Sequence, residues 1–143
     1  MSTIVGTNIE VTNLKYDSDT TSMIISNTGQ VTIQGEGTNT TNLQQGLAKM
    51  WYNGNLSNQS TADSFNVGSL TDTATGKLTI NYTNNMTTAN YSGNCMKQAQ
   101  LTNNHCTEYM TNEATSSTRL ELLENAALID ATNTHAQVHG DLA

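Results

Sequence analysis

Three histidines, two cysteines and twelve carboxylates are the groups this chain could use for chemistry. Their spacing decides how far each can go. His135 and His139 flank Gln137 and alternate with Ala136 and Val138. On a strand, that alternation sends both imidazoles out of one face, and neutral imidazole is a common metal ligand. Repeated three times around an axis, such a face could ring a metal ion. No Cys, Asp or Glu stands at matching spacing, so ordinary surface or interface polar residues are the preferred reading. His105 reads as a turn residue. With its neighbour Cys106 it makes no nucleophile–base pair, because adjacent strand residues point to opposite faces.

Cys95 and Cys106 could pair across adjacent strands, but nothing between them forces the geometry that a disulfide demands. Assembly in a cytoplasm favours free thiols acting as small buried hydrophobes. Among the carboxylates, only Asp17/Asp19 and Glu121/Glu124 stand close together. A glycosidase needs two carboxylates about 5–9.5 Å apart, and these groupings read as a solvated loop and a solvated strand face. Asp17-Ser18-Asp19 lacks the glycine and the distal glutamate of a calcium loop. Triplets such as Asn81-Tyr82-Thr83 fit a glycosylation acceptor but arise by chance in so much Asn and Thr. No glycine loop for phosphate is present. Trp51 has two readings: an exposed platform for glycan, or an anchor in a core or subunit interface. The second is preferred, because a lone Trp buries a large area.

Behind these residues the chain is built for strands. It holds 25 Thr and 19 Asn against five Lys plus Arg, and no Pro. Thr suits pleated surfaces and Asn suits turns. Leu78, Ile80 and Tyr82 alternate with Lys77, Thr79 and Asn81, the period of a half-buried strand. Phe65–Thr71 precedes it, and Asp72-Thr73-Ala74-Thr75-Gly76 supplies turn chemistry, so the pair reads as a hairpin. Further strands fit Ala89–Lys97, His105–Met110, Ser117–Glu124 and Thr134–Gly140, with turns at Asn103-Asn104 and Asn125. Leu43–Met50 could form a helical turn, although Gly46 and Trp51-Tyr52 favour a strand from about Leu47. Glu121–Ala131 is the one stretch open to a longer helix, and Asn125 cuts it.

The first 42 residues carry short β-type segments, Ile9–Leu14, Ser22–Ser26 and Gln30–Gln34, with Asn27-Thr28-Gly29 as a hairpin turn. A polar connector, Gly35 to Asn42, separates them from the rest. Met23, Ile25, Val31 and Ile33, or Ile24 if the other face is inward, have no partner layer within this short part. Few strands bury little surface alone. Leu, Ile, Val and Phe total only 25 of 143 residues, a fraction at which disorder becomes an option. The clear alternation and modest net charge of −7 argue against it, and point instead to burial completed by other copies of the chain. These five residues are therefore the candidate interface between copies of the chain.

The acidic balance, with pI near 4.6, argues against nucleic acid, which requires clustered cations. No run approaches the roughly 18 apolar residues of a membrane span, so membrane insertion is not expected. Met1 to Gly6 lacks the charged and apolar regions of a signal peptide, which implies synthesis in a cytoplasm.

One set of segments carries a resemblance. Ala48-Lys49-Met50-Trp51, Asp63-Ser64-Phe65-Asn66-Val67, Thr71-Asp72, Thr75-Gly76, Met86 and Ala89-Asn90-Tyr91, in this order over about a third of the chain, resemble the tail-fibre and virion-fibre domains of marine, cyanophage-like tailed phages. The resemblance implies an all-β homotrimer, with residues 1–42 as an attachment or shaft segment and 43–143 as a β-sandwich, jelly-roll-like head. It also favours two strands around Asn125 over a helix. The expected role is binding, to other virion proteins or to a host surface glycan, with no cofactor and no catalysis. Location on a virion assembled in the host cytoplasm would follow. A stand-alone glycan-binding module and a small glycanase are the alternatives.

Overall fold

A computed structural model describes residues 13–15, 21–27, 29–34, 40–97 and 106–142. Asp17/Asp19, Thr28, Asn103-Asn104, His105 and most of Ile9–Leu14 lie outside the described residues. The chain divides into two compact units between Gly46 and Leu47.

In the first unit β1 (Asn13–Lys15), β2 (Thr21–Ile25), β3 (Val31–Gln34) and β4 (Thr40–Asn42) form one antiparallel sheet in sequence order. Gly29 takes a left-handed φ of 79° in the β2–β3 turn, a conformation open to glycine without steric cost. The single-turn helix α1 (Leu43–Gly46) follows. Its Gln44 amide accepts from Val31 N–H at 2.9 Å and donates to the Gly29 carbonyl at 3.2 Å, so one side chain ties the helix to the hairpin. Met23 lies opposite Ile33, and Ile25 opposite Val31. Directly opposed strand residues share a face, which gathers four apolar side chains on one side of the sheet.

The second unit is a two-sheet sandwich. One sheet has the order β10 (Cys106–Ala114), β11 (Ser117–Glu124), β8 (Lys77–Tyr82), β7 (Val67–Ala74), with β12 (Ala127–Leu128) pairing β11. The other has the order β6 (Ser60–Phe65), β5 (Ala48–Asn55), β13 (Thr134–His139), β9 (Ser92–Lys97). The all-β fold expected from composition and alternation is what forms, in the sandwich arrangement that the resemblance implied. Leu78, Ile80 and Tyr82 of β8 and Leu120 and Leu122 of β11 meet Met50 and Tyr52 of β5 and Ala136 and Val138 of β13 in one buried cluster. Each large aliphatic member stabilises by about 1.5–3 kcal/mol.

The turns explain where sequence reading needed correction. Asp72 to Ala74 belong to β7, so the hairpin turn is only Thr75-Gly76. Gly76 has φ +70°, and a Cβ there would meet the Ile129 nitrogen and the Leu122 oxygen at 2.8 Å. Its N–H instead donates to the Asp130 carboxylate at 2.6 Å. The helix considered for Glu121–Ala131 does not form. Thr118, Leu120 and Leu122 are buried on alternate positions, and Asn125 and Ala126 both take left-handed φ, 50° and 64°. Two successive positive φ values suit a tight hairpin, and β12 returns along β11.

A single residue carries the chain from one sheet to the other between β6 and β7. Asn66 has φ 58°, a conformation that Asn tolerates better than most residues. Its side-chain amide donates to the Lys49 and Asn84 carbonyls at 2.9 and 3.0 Å. Farther along, Tyr91 O–H donates to the carbonyls of Ser117 at 2.9 Å and Ala114 at 3.2 Å and accepts from Tyr82 O–H at 3.1 Å. That pins the approach to β9 against the opposite sheet.

Candidate functional site

The register of the β6-β5-β13-β9 sheet builds two parallel rows of side chains on its outward face. In one row Phe65 lies opposite Trp51, Trp51 opposite Gln137, and Gln137 opposite Asn94. The next row runs Asp63, Asn53, His135, Met96. Even-numbered β13 positions are buried and odd ones face out, which fixes the side on which these rows lie. Phe65 is 48% and Met96 62% exposed, and Trp51 is half-buried. A hollow of about 110 Å³ is lined by Asn94, Met96, His135, Ala136 and Gln137.

On this face the Asp63 carboxylate accepts from the Ser64 N–H at 2.9 Å, and the other polar groups are unspent. Among the described residues, the Asn53, Asn94 and Gln137 amides, the His135 imidazole and the Trp51 indole N–H make no hydrogen bond within the protein. The outward face of the opposite sheet differs. There Asn81 donates to the Ser69 and Thr71 hydroxyls, each at 3.1 Å. Glu121 bonds Arg119 and pairs with Lys77 at 3.2 Å, and accepts from the Thr111 hydroxyl at 3.2 Å. Burial alone would push the Glu121 carboxyl up, but its bonds to Lys77 and Arg119 hold it below its ordinary value. The amides of the first face have no such bonds among the described residues.

The remaining chemical candidates are separated by the fold. Glu121 lies on the outer face of β11, whereas Glu124 binds the buried Lys97 ammonium at 2.8 Å, a bridge from β11 to β9 of the opposite sheet. These two carboxylates thus do not converge as a glycosidase pair. Burial pulls the Lys97 ammonium down, and its hydrogen bonds to Glu124 and Cys106 more than offset this, leaving it above its ordinary value. Cys95 and Cys106 are not joined in a disulfide. Burial, followed by the charge of Glu108, pushes Cys95 up to about 11, so at neutral pH it is a thiol and a poor nucleophile. His135 and His139 share the outer face of β13, as their spacing implied. Among the described residues, no three His, Cys, Asp or Glu side chains are grouped to hold a metal, and no helix is long and apolar enough to cross a membrane.

Comparison with known proteins gives no relative: no family model, no curated protein and no solved structure matches the chain.

Trp51 stands on the outward face, away from the buried cluster. Phe65, Asn94, Met96 and Gln137 were not legible as site residues. Alternation identified the face of β13, but the residues joining it come from β9 and β5, far apart in sequence.

Proposed function

We propose that this chain is a structural fibre protein of a tailed-phage virion, assembling as a trimer in the host cytoplasm and acting by binding. The N-terminal unit would serve as the attachment or shaft segment, and the sandwich as the head presented to virion partners or a host surface. The observation that carries this reading is the apolar face of the N-terminal sheet. Met23, Ile25, Val31 and Ile33 share one side, and Ile25 remains 37% exposed. The described residues of this unit comprise one sheet and the single turn α1, and a lone layer needs cover to keep such a face from water. Further copies arranged about an axis would provide it and protect the sheet edges. The fibre-like order of segments from Ala48 to Tyr91 supports the same reading.

Sedimentation at micromolar concentration tests it. The expected mass is three times the 15.4 kDa chain, and a stable, folded monomer overturns the trimer. The outward position of Trp51 favours one second reading, a glycan-binding module working without virion assembly, for which a monomer is acceptable.

A further inference from the structure

We infer that the outward face of the β6-β5-β13-β9 sheet is a binding site for a neutral oligosaccharide, centred on Trp51 and Gln137. The inference rests on the head being a binding module and is independent of how many copies assemble. Three observations combine.

The first is the direct opposition of Trp51 and Phe65 on neighbouring strands. An aromatic face carries negative quadrupole charge, and the C–H face of a sugar ring is its weakly positive complement. The second is the set of unspent groups beside the aromatics. The amides of Asn53, Asn94 and Gln137 and the Trp51 indole N–H have no intramolecular partner among the described residues. An amide offers both donors and an acceptor, which matches hydroxyl groups that do the same. The third is charge. The two rows hold one carboxylate, Asp63, and no Lys or Arg, in a chain of net charge −7. A phosphate, a sulfated sugar or a nucleic acid would need cations there, whereas a neutral sugar needs none.

The dimensions suit a short chain of sugars. Strands lie about 4.8 Å apart, so the row from Phe65 to Asn94 crosses three such spacings, roughly 14 Å in all. The hollow between Asn94, Met96, His135 and Gln137 ends that row and would take a ring edge or a substituent.

Trp51 is the single tryptophan of the chain, so its fluorescence reports occupancy. The full chain is titrated with neutral tetrasaccharides of β-glucan, α-glucan, galactan and mannan, and with a heparin tetrasaccharide as the acidic control. At least one neutral tetrasaccharide should change Trp51 emission saturably, and heparin should not. On beads carrying that neutral glycan, Trp51→Ala and Gln137→Ala should each weaken retention about tenfold. Tyr109→Ala, an exposed aromatic of the opposite outer face, should leave retention unchanged. If Trp51→Ala disturbs the far-UV spectrum, Gln137→Ala and Asn94→Ala decide, because those side chains make no hydrogen bond among the described residues. The inference is overturned if no neutral glycan moves Trp51 emission, if only heparin does, or if both amide variants bind like wild type. It is also overturned if Trp51→Ala reduces the mass of the assembly, which would make this face an interface between copies. None of the glycan measurements bears on the trimer, which is read from mass alone.

Discussion

Asn66 and Asn84 hold each other twice: Asn66 Oδ1 accepts from the Asn84 N–H at 2.7 Å, and Asn66 Nδ2 donates to the Asn84 carbonyl at 3.0 Å. The side chain of the corner residue thus pairs with backbone as another strand would. A third bond, to the Lys49 carbonyl at 2.9 Å, reaches the other sheet. Asn66→Gly keeps the left-handed backbone and removes all three bonds, and should cost about 2–4 kcal/mol. Asn66→Ala adds about 1 kcal/mol of backbone strain. Urea unfolding should rank the two in that order. Equal stability of Asn66→Ala and wild type would remove the corner from the list of what holds the sandwich.

The ion pair of Lys97 and Glu124 should behave as a buried one. The Lys97 side chain is 2% exposed, so Glu124→Gln leaves a charge in the interior without its paired carboxylate, a change of about 3–5 kcal/mol. Replacing both, as Lys97→Met with Glu124→Leu, should recover most of the loss. Because the folded Lys97 is raised above its ordinary value, its contribution is complete below about pH 10.4 and is lost as pH climbs through the folded value. Thermal melts of the single and double variants at pH 7 and pH 11 check both statements.

Glu121 carries the opposite sign. Its carboxyl is held low in the folded protein, so its contribution is present above about pH 4.3 and is lost as pH falls through the lower folded value. Glu121→Gln should cost about 1 kcal/mol at pH 7 and should flatten the loss of stability between pH 5 and pH 3. A variant as acid-sensitive as wild type would assign that loss to other carboxylates.

In the N-terminal unit, a charge placed on the apolar face should disrupt assembly. Ile25→Asp puts a carboxylate beside Val31, its opposite neighbour, and should lower the mass measured by light scattering. Ile24→Asp tests the other face of β2. Asn27→Asp, in the exposed turn, adds the same charge off both faces and should leave the mass unchanged. If both isoleucine variants keep the full mass, the contacts that join copies lie in the sandwich.

Much of this fold could be read locally. The alternation through Leu78, Ile80 and Tyr82 and the glycine at 76 located β8 and its turn, because side-chain period and φ > 0 are properties of a few neighbouring residues. The stretch after Glu121 was ambiguous because ELLENAALIDA has good helix formers. Burial of Leu120 and Leu122 between two neighbouring strands decided it. The outer-face site was out of reach for a different reason. Trp51, Gln137 and Asn94 become neighbours only through the β5–β13 and β13–β9 pairings, and register between distant strands is set by the whole core.

The place of β13 between β5 and β9 also sets a clock. Until residues 134–139 are available, the β5–β6 hairpin and β9 have nothing to join them, and Met50 and Tyr52 lack the Val138 and Ala136 against which they are buried. Closing so long a loop is slow, as in other proteins dominated by distant strand pairs. A chain still on the ribosome would show water an unfinished, sticky sheet. Synthesis of this sandwich is therefore its most vulnerable period, and its yield in a cell should follow the supply of chaperones more closely than its final stability.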